Sequence, residues 1–151
     1  MIPPTSQDDN TTLVLRRTFA ASRERVFRAW TTPAALERWL KPRSLNIIVR
    51  ALDVRVGGSF CFEIADGNRI VGTYLQVVPP ERLAFTWSGT IAQSQETVVT
   101  LDFFERGAET TEVVLTHEGL VAPDQRTRVE SGWSSFFDAL AVVLASSDLA
   151  L

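Results

Sequence analysis

The sequence predicts an α+β protein in which one antiparallel sheet of seven strands wraps around a long C-terminal helix. First, its 151 residues, 45% hydrophobic and 22% charged, have the size and composition of one globular domain. Second, six strand-like segments between residues 45 and 118 are separated by short joints, which makes successive strands antiparallel neighbours. Third, one long helical pattern near the C-terminus is the only element large enough to cover the apolar face of such a sheet.

The N-terminal part of the chain predicts a strand followed by a helix. Residues 12–19 alternate between apolar and polar side chains, which is the pattern of a half-buried strand. Ser22 suits the N-cap of a helix, because its hydroxyl can accept a hydrogen bond from a backbone N–H of the first turn. The following residues place Val26, Phe27 and Trp30 on one apolar stripe, so this helix is amphipathic.

A second short helix is predicted between two prolines. Thr32 is placed to cap it, and Pro33 fits its first turn, where the missing N–H of proline costs nothing. Leu36 and Trp39 then face inward at helical spacing, and Pro42 ends the helix because proline cannot continue it.

The remaining elements are six strands and one long helix. The predicted strands are residues 46–52, 58–65, 69–78, 82–89, 95–105 and 110–118. Turn-forming pairs such as Gly57-Gly58 and Pro79-Pro80 separate them. The helix is predicted over residues 124–146, where apolar side chains recur at helical spacing. A twisted sheet curls around such a helix, touches it along its middle and can part from it toward the ends, where a cavity can remain.

Composition and charge limit the domain organisation and the partners. Residues 1–10 are polar and contain prolines, which predicts a flexible N-terminal tail, and residues 11–151 are predicted to form a single domain. The net charge of −3 argues against a nucleic-acid partner, because such proteins normally carry a basic surplus.

The same sequence argues against a membrane location. Its longest apolar run is far shorter than the roughly 20 residues that cross a bilayer, and its start lacks the pattern of a secretory signal. The single cysteine, Cys61, fits a reducing compartment. We therefore expect no membrane insertion, a cytoplasmic location, and a monomer or homodimer.

Five segments carry a recognisable pattern when they are taken in order. They are RTFAASRERVFRAWTTPAALERWL (17–40), DVRVGGSF (53–60), GTYLQVVPPERLAFTW (72–87), TTEVVLTHEGL (110–120) and GWSSFFDAL (132–140). Together they resemble the activator of Hsp90 ATPase homologue 1-like family, which is part of the START-like, or SRPBCC, superfamily. The resemblance implies a helix-grip fold: a seven-stranded antiparallel sheet around a long C-terminal helix, with two short helices after the first strand.

The resemblance leaves three functions open. Superfamily members commonly hold hydrophobic ligands between sheet and helix, which implies a small hydrophobic or aromatic ligand. The eukaryotic namesake is a co-chaperone that stimulates the Hsp90 ATPase, which implies an Hsp90-type, stress-related partner as an alternative. Other branches are cyclases or aromatases, and His117 would then be the catalytic candidate. We expect ligand binding, because the sequence shows no nucleophile motif, no metal-ligand cluster and no phosphate loop for a cofactor.

The expected cavity lining combines aromatic side chains with one histidine. His117 is the only histidine of the sequence, and the alternation along its strand places it on the apolar face. There it could contact a ligand, act as a general base, or hold the fold through a hydrogen bond. Phe136 and Phe137 stand where the family more often has smaller side chains, which would reshape the cavity. The expected lining is Trp87, His117, Trp133, Phe137, Phe85, Tyr74, Phe60, Phe62 and Leu140.

Overall fold

The structure is a computed structural model that describes residues 11–89, 96–121 and 123–145. The tail predicted over residues 1–10 lies outside these residues, as do residue 95 of the sixth predicted strand and residue 146 of the predicted long helix. The elements are β1 (Thr12–Phe19), α1 (Arg23–Thr31), α2 (Pro33–Trp39), β2 (Ile47–Leu52), β3 (Ser59–Ile64), β4 (Arg69–Val78), β5 (Arg82–Gly89), β6 (Thr97–Gly107), β7 (Thr110–Glu118) and α3 (Pro123–Ala145). Their types and order are those predicted.

All seven strands form one antiparallel sheet in the order β1-β7-β6-β5-β4-β3-β2. The register aligns apolar residues across the sheet: Leu15 of β1 lies opposite Leu115 of β7, which lies opposite Leu101 of β6. Bulges interrupt the pairing of β2 with β3 and of β4 with β5. Because a bulge increases the local twist, these irregularities help the sheet to curl.

Both short helices begin at the predicted N-cap residue. Ser22 caps α1, since its hydroxyl accepts a hydrogen bond from the Arg25 N–H at 3.3 Å. Thr32 is the N-cap residue of α2, although its side chain makes no cap hydrogen bond. Only Thr32 separates α1 from α2, and its backbone carbonyl accepts the Leu36 N–H at 3.0 Å instead. Pro33 needs no hydrogen-bond acceptor in this first turn.

The chain after α2 makes a tight reversal before the sheet resumes. Pro42–Ser44 form a single 3₁₀ turn that the sequence pattern did not indicate. Arg43 and Ser44 have left-handed backbone angles, with φ of 51° and 66°. These angles are uncommon outside glycine. The reversal places residues 41–44 beside α3, where they form one wall of a groove described below.

Helix α3 covers the apolar face of the sheet with one stripe of large side chains. Trp133, Phe137 and Leu140 on this stripe are at most 2% exposed. The Phe137 ring makes edge contacts with Phe19 of β1 at 5.7 Å and with Trp30 of α1 at 6.3 Å. One aromatic ring therefore joins sheet, short helix and long helix, which confirms the predicted helix-grip architecture. No helix among the described residues is long and apolar enough to span a bilayer.

Candidate functional site

A cavity of about 170 Å³ lies between α3 and one end of the sheet. This is the end at which β3, β5 and β7 finish and β4 and β6 begin. Strand ends are where a curled sheet separates from a straight helix, so the position has a simple geometric cause. Its apolar wall includes Ile64, Ile70, Trp87, Leu120 and Val129, and His117 also contributes to the lining.

A second cavity, also about 170 Å³, adjoins the first. Both are lined by Ile70, Trp87, His117 and Val129. The second cavity adds Gly132, Trp133 and Phe136 of α3. Because four side chains line both spaces, they are two parts of one cleft, which we call the helix–sheet cleft.

Three polar side chains at this cleft form one hydrogen-bond chain, and Arg69, Ser88 and Gln125 add further polar lining. The Trp133 Nε1–H donates to His117 Nδ1 at 3.0 Å, and His117 Nε2 lies 2.7 Å from Thr97 Oγ1. Thr97 Oγ1 in turn donates to the Trp87 carbonyl at 2.7 Å. An indole N–H can only donate, so Nδ1 must be the acceptor and the proton of neutral His117 lies on Nε2. Each donor in the chain thus meets an acceptor.

His117 is neutral because it is buried. Burial lowers the pKa of His117 from its ordinary value of 6.5 to about 4. Protonation would also place a second N–H on Nδ1, facing the N–H of Trp133. Both ring nitrogens are already hydrogen-bonded within the chain, so neither offers a free lone pair to a substrate. The arrangement fits a residue that positions Trp133 and β6 better than it fits a general base.

Three of the predicted lining residues meet at the cleft. Trp87 of β5, His117 of β7 and Trp133 of α3 all line it, and the two indole rings are 5.0 Å apart between centroids. They come from three separate elements, and their meeting depends on the packing of α3 against the strand ends. Trp87 is half-buried, whereas His117 and Trp133 are only 2% exposed.

The other predicted residues lie deeper. Phe60, Phe62 and Phe85 surround a void of about 20 Å³ behind Trp87, which has room for little more than one water molecule. Gly72 makes this packing possible, because a Cβ there would lie 2.4 Å from the Phe60 ring. The remaining three, Tyr74, Phe137 and Leu140, are buried in the hydrophobic core. Burial raises the pKa of the Tyr74 hydroxyl, so this phenol stays neutral.

The sequence interpretation missed several residues of the cleft. Val129 lies one helical turn before Trp133, so helical spacing could have indicated it. Ile70 is the second residue of β4 and had the alternation of a core residue. Thr97 gave no signal, because its role depends on lying opposite Trp87 in the pairing of β5 with β6. That register cannot be read from the two strands separately.

Gly132 is the least expected member of the site. It lies inside α3, where glycine is less favourable than alanine by about 1 kcal/mol. A Cβ added there would meet no atom within 4 Å, so packing does not require glycine. The absent side chain instead leaves unfilled space beside this point of the cleft wall.

Comparison with known proteins places the chain in a family. The model of the family described as "Activator of Hsp90 ATPase homolog 1-like protein" matches residues 20–145. The chain belongs to this family. The match covers most of the described fold, and it confirms the family membership that the five sequence segments indicated. A search of curated proteins finds no match.

Solved structures share the START-like fold of this family member. Protein CV1439 from Chromobacterium violaceum is 27% identical with a TM-score of 0.81, over 91% of this chain and 99% of that one. A Rhodobacter sphaeroides protein is 26% identical with a TM-score of 0.78, over 92% and 95% of the two chains. CalU16 from Micromonospora echinospora is 26% identical with a TM-score of 0.70, over 88% and 75%. These similarities confirm the helix-grip architecture.

Proposed function

We propose that this protein binds a small hydrophobic or aromatic molecule in the helix–sheet cleft. The observation that carries the proposal is the pair of adjoining cavities between Trp87 on the sheet and Val129 and Trp133 on α3. Ligand sites are typically concave and mostly apolar, with a few polar groups that fix orientation. The helix–sheet cleft is likewise concave and mostly apolar, with a few polar groups such as His117 in its lining.

The size of the cleft favours a small ligand. Ligand pockets usually occupy about 300–1,000 Å³, and two adjoining spaces of about 170 Å³ each lie near the lower end of that range. The indole rings of Trp87 and Trp133, tilted by 45° and in contact with each other, add flat apolar surface to the wall, which suits an aromatic ring or an alkyl chain. The hydrogen-bond chain satisfies Trp133, His117 and Thr97 within the wall, so an apolar guest leaves none of these three newly unpaired.

The two alternative functions stay predictions. A cyclase- or aromatase-like reaction at His117 would require a free ring nitrogen, and both nitrogens are hydrogen-bonded. An Hsp90 co-chaperone role is suggested by the family description, and a purified Hsp90 with its ATPase rate as readout would test it. The cytoplasmic location inferred from Cys61 and the monomeric or homodimeric state also stay predictions.

A cavity-filling variant tests the binding proposal. Val129→Phe adds an aromatic ring to the cleft, whereas Val142→Phe adds the same ring to a position of α3 that is 71% exposed. The probes are naphthol, biphenyl and decanol, measured by titration calorimetry and by the shift in unfolding temperature. A ligand at one hundred times its dissociation constant stabilises the fold by about 2.7 kcal/mol.

The two variants should differ clearly in how they bind the probes. We expect Val129→Phe to abolish binding of the probes that the wild type binds, while Val142→Phe binds them as the wild type does. Circular dichroism establishes that both variants fold. Equal binding by the wild type and Val129→Phe would place the ligand elsewhere and overturn the proposal, and so would the absence of binding for every probe.

A further inference from the structure

A groove of about 580 Å³ runs along α3 next to the helix–sheet cleft. One wall consists of residues 41–44, and the other is the face of α3 that carries Arg128, Ser131 and Ser135. Gly132 and Phe136 line both this groove and the cleft. The two spaces therefore adjoin at Gly132 and Phe136.

The groove carries an uncompensated positive charge. Its lining includes Lys41, Arg43 and Arg128, and no aspartate or glutamate among the described residues lines it. Arg43 is paired with Asp66, and Arg128 is paired with Asp124 at 2.7 Å. Within the described part of the chain, Lys41 forms no ion pair.

Hydroxyl groups complete the polar lining. Ser131 and Ser135 are four residues apart on α3, so their side chains lie on the same face of the helix, and Ser44 contributes from the facing wall. Each hydroxyl can donate a hydrogen bond to an anion. One lysine and three hydroxyls thus line a space that adjoins the mostly apolar cleft.

We propose that the groove binds the carboxylate of an amphipathic monocarboxylate whose apolar part occupies the helix–sheet cleft. The inference rests on the proposed function and names the chemical class of its ligand. A carboxylate carries one negative charge at neutral pH and so matches the single unpaired charge of Lys41. A phosphate monoester carries about −1.5 to −2 and would leave excess negative charge in the groove.

Matched ligands that share one tail test the inference. Decanoate and decanol have the same alkyl chain, and only decanoate carries a negative charge. We expect the wild type to bind decanoate about fivefold more tightly than decanol, the size of effect expected for an ion pair near the surface. This preference should shrink at high salt, because salt screens exposed charges.

Two variants test whether Lys41 causes the preference for decanoate over decanol. Lys41→Gln should bind decanoate and decanol equally and leave decanol binding unchanged. Arg16→Gln changes the net charge by the same amount on the outer side of edge strand β1, where Arg16 is 64% exposed, and should keep the wild-type preference. A decanoate preference that survives in Lys41→Gln would overturn the inference.

The two proposals fail in distinguishable ways. If the wild type binds decanol and decanoate equally, the carboxylate site is refuted while the apolar cleft stands. If the wild type binds neither, the cleft does not accept alkyl chains and the inference falls with it.

Lys41 also provides a direct spectroscopic probe, because it is the only lysine of the sequence. Reductive methylation with carbon-13 formaldehyde keeps its positive charge and gives one lysine signal beside that of the N-terminal amine. Decanoate should shift the lysine signal and decanol should not. A lysine signal that responds to neither ligand, in a protein that binds both, would place the carboxylate away from Lys41 and overturn the inference.

Discussion

Gly132 allows a prediction in which stability and ligand binding change in opposite directions. Replacing it by alanine removes the entropic penalty of glycine inside a helix, which is about 0.8–1.0 kcal/mol. No steric cost offsets this gain, because the added Cβ meets no atom within 4 Å. The expected change is therefore about 1 kcal/mol of added stability, which raises the unfolding temperature of a domain of this size by about 2–4 °C.

Urea unfolding followed by circular dichroism measures this change. The midpoint of Gly132→Ala should rise while the slope with urea stays constant, because the unfolded surface hardly changes. Gly132→Leu keeps good helix propensity but places a large side chain between cleft and groove, so it should fold stably and lose most affinity for decanol.

The reasoning is refuted by either of two results. A Gly132→Ala variant that is less stable than the wild type would mean that the space beside Gly132 is needed for packing. A Gly132→Leu variant with wild-type affinity would mean that the ligand does not pass this point of α3.

Two further predictions concern the hydrogen-bond chain. Because His117 has a pKa of about 4 in the folded protein and an ordinary value of 6.5 once unfolded, the unfolded state binds more protons between these pH values, and stability falls as the pH is lowered from 6.5 to 4. The loss of stability attributable to His117 is about 3 kcal/mol. Urea midpoints at several pH values should show this loss in the wild type but not in His117→Phe. Equal dependence of the midpoint on pH in both proteins would contradict a buried neutral histidine. Thr97→Val keeps the side-chain shape but leaves His117 Nε2–H without its acceptor and removes the side-chain donor to the Trp87 carbonyl, so it should cost about 1–3 kcal/mol in the same assay. A neutral effect of Thr97→Val would show that the chain contributes little to stability.

The order of the elements could be predicted because its signals are local. Turn-forming pairs such as Pro79-Pro80 separate the strands, and the stripe containing Trp133 and Phe137 has the period of a helix. These patterns act within a few residues and do not depend on distant contacts. The N-cap position of Thr32 could be predicted in the same way, but the absence of a side-chain hydrogen bond could not, because only this residue separates α1 from α2.

The site could be predicted only in part, because sequence alternation separates inward from outward but does not separate core from cavity. Trp87 and Phe85 occupy the same face of β5, yet Trp87 lines the cleft while Phe85 lies behind it at the small void. What distinguishes them is distance from the strand end, where the sheet separates from α3. Tyr74 and Leu140 satisfy the same pattern and are buried in the core.

The groove could not be predicted at all. It exists because the reversal after α2 places Lys41 and Pro42 beside residues 128–139 of α3, and nothing in either segment indicates the other. In the sequence, Lys41 is a single basic residue among many, and only the packing shows that its groove lacks carboxylates among the described residues. Sites formed by segments far apart in sequence require the tertiary structure.

The hydrogen-bond chain through His117 disfavours a charged ligand group beside it, which favours placing that group in the groove. Every donor and acceptor in that chain is matched, so a ligand's polar end placed beside Trp133, His117 and Thr97 would lose its hydration without gaining a partner from them. Burying an unpaired carboxylate is far more costly than burying a neutral polar group. An amphipathic ligand therefore gains most when its apolar part packs against Trp87 and Trp133 and its charged end lies away from the hydrogen-bond chain. Gly132 and Phe136 line both the cleft and the groove, so the groove with Lys41 and the α3 hydroxyls is the neighbouring space for that charged end.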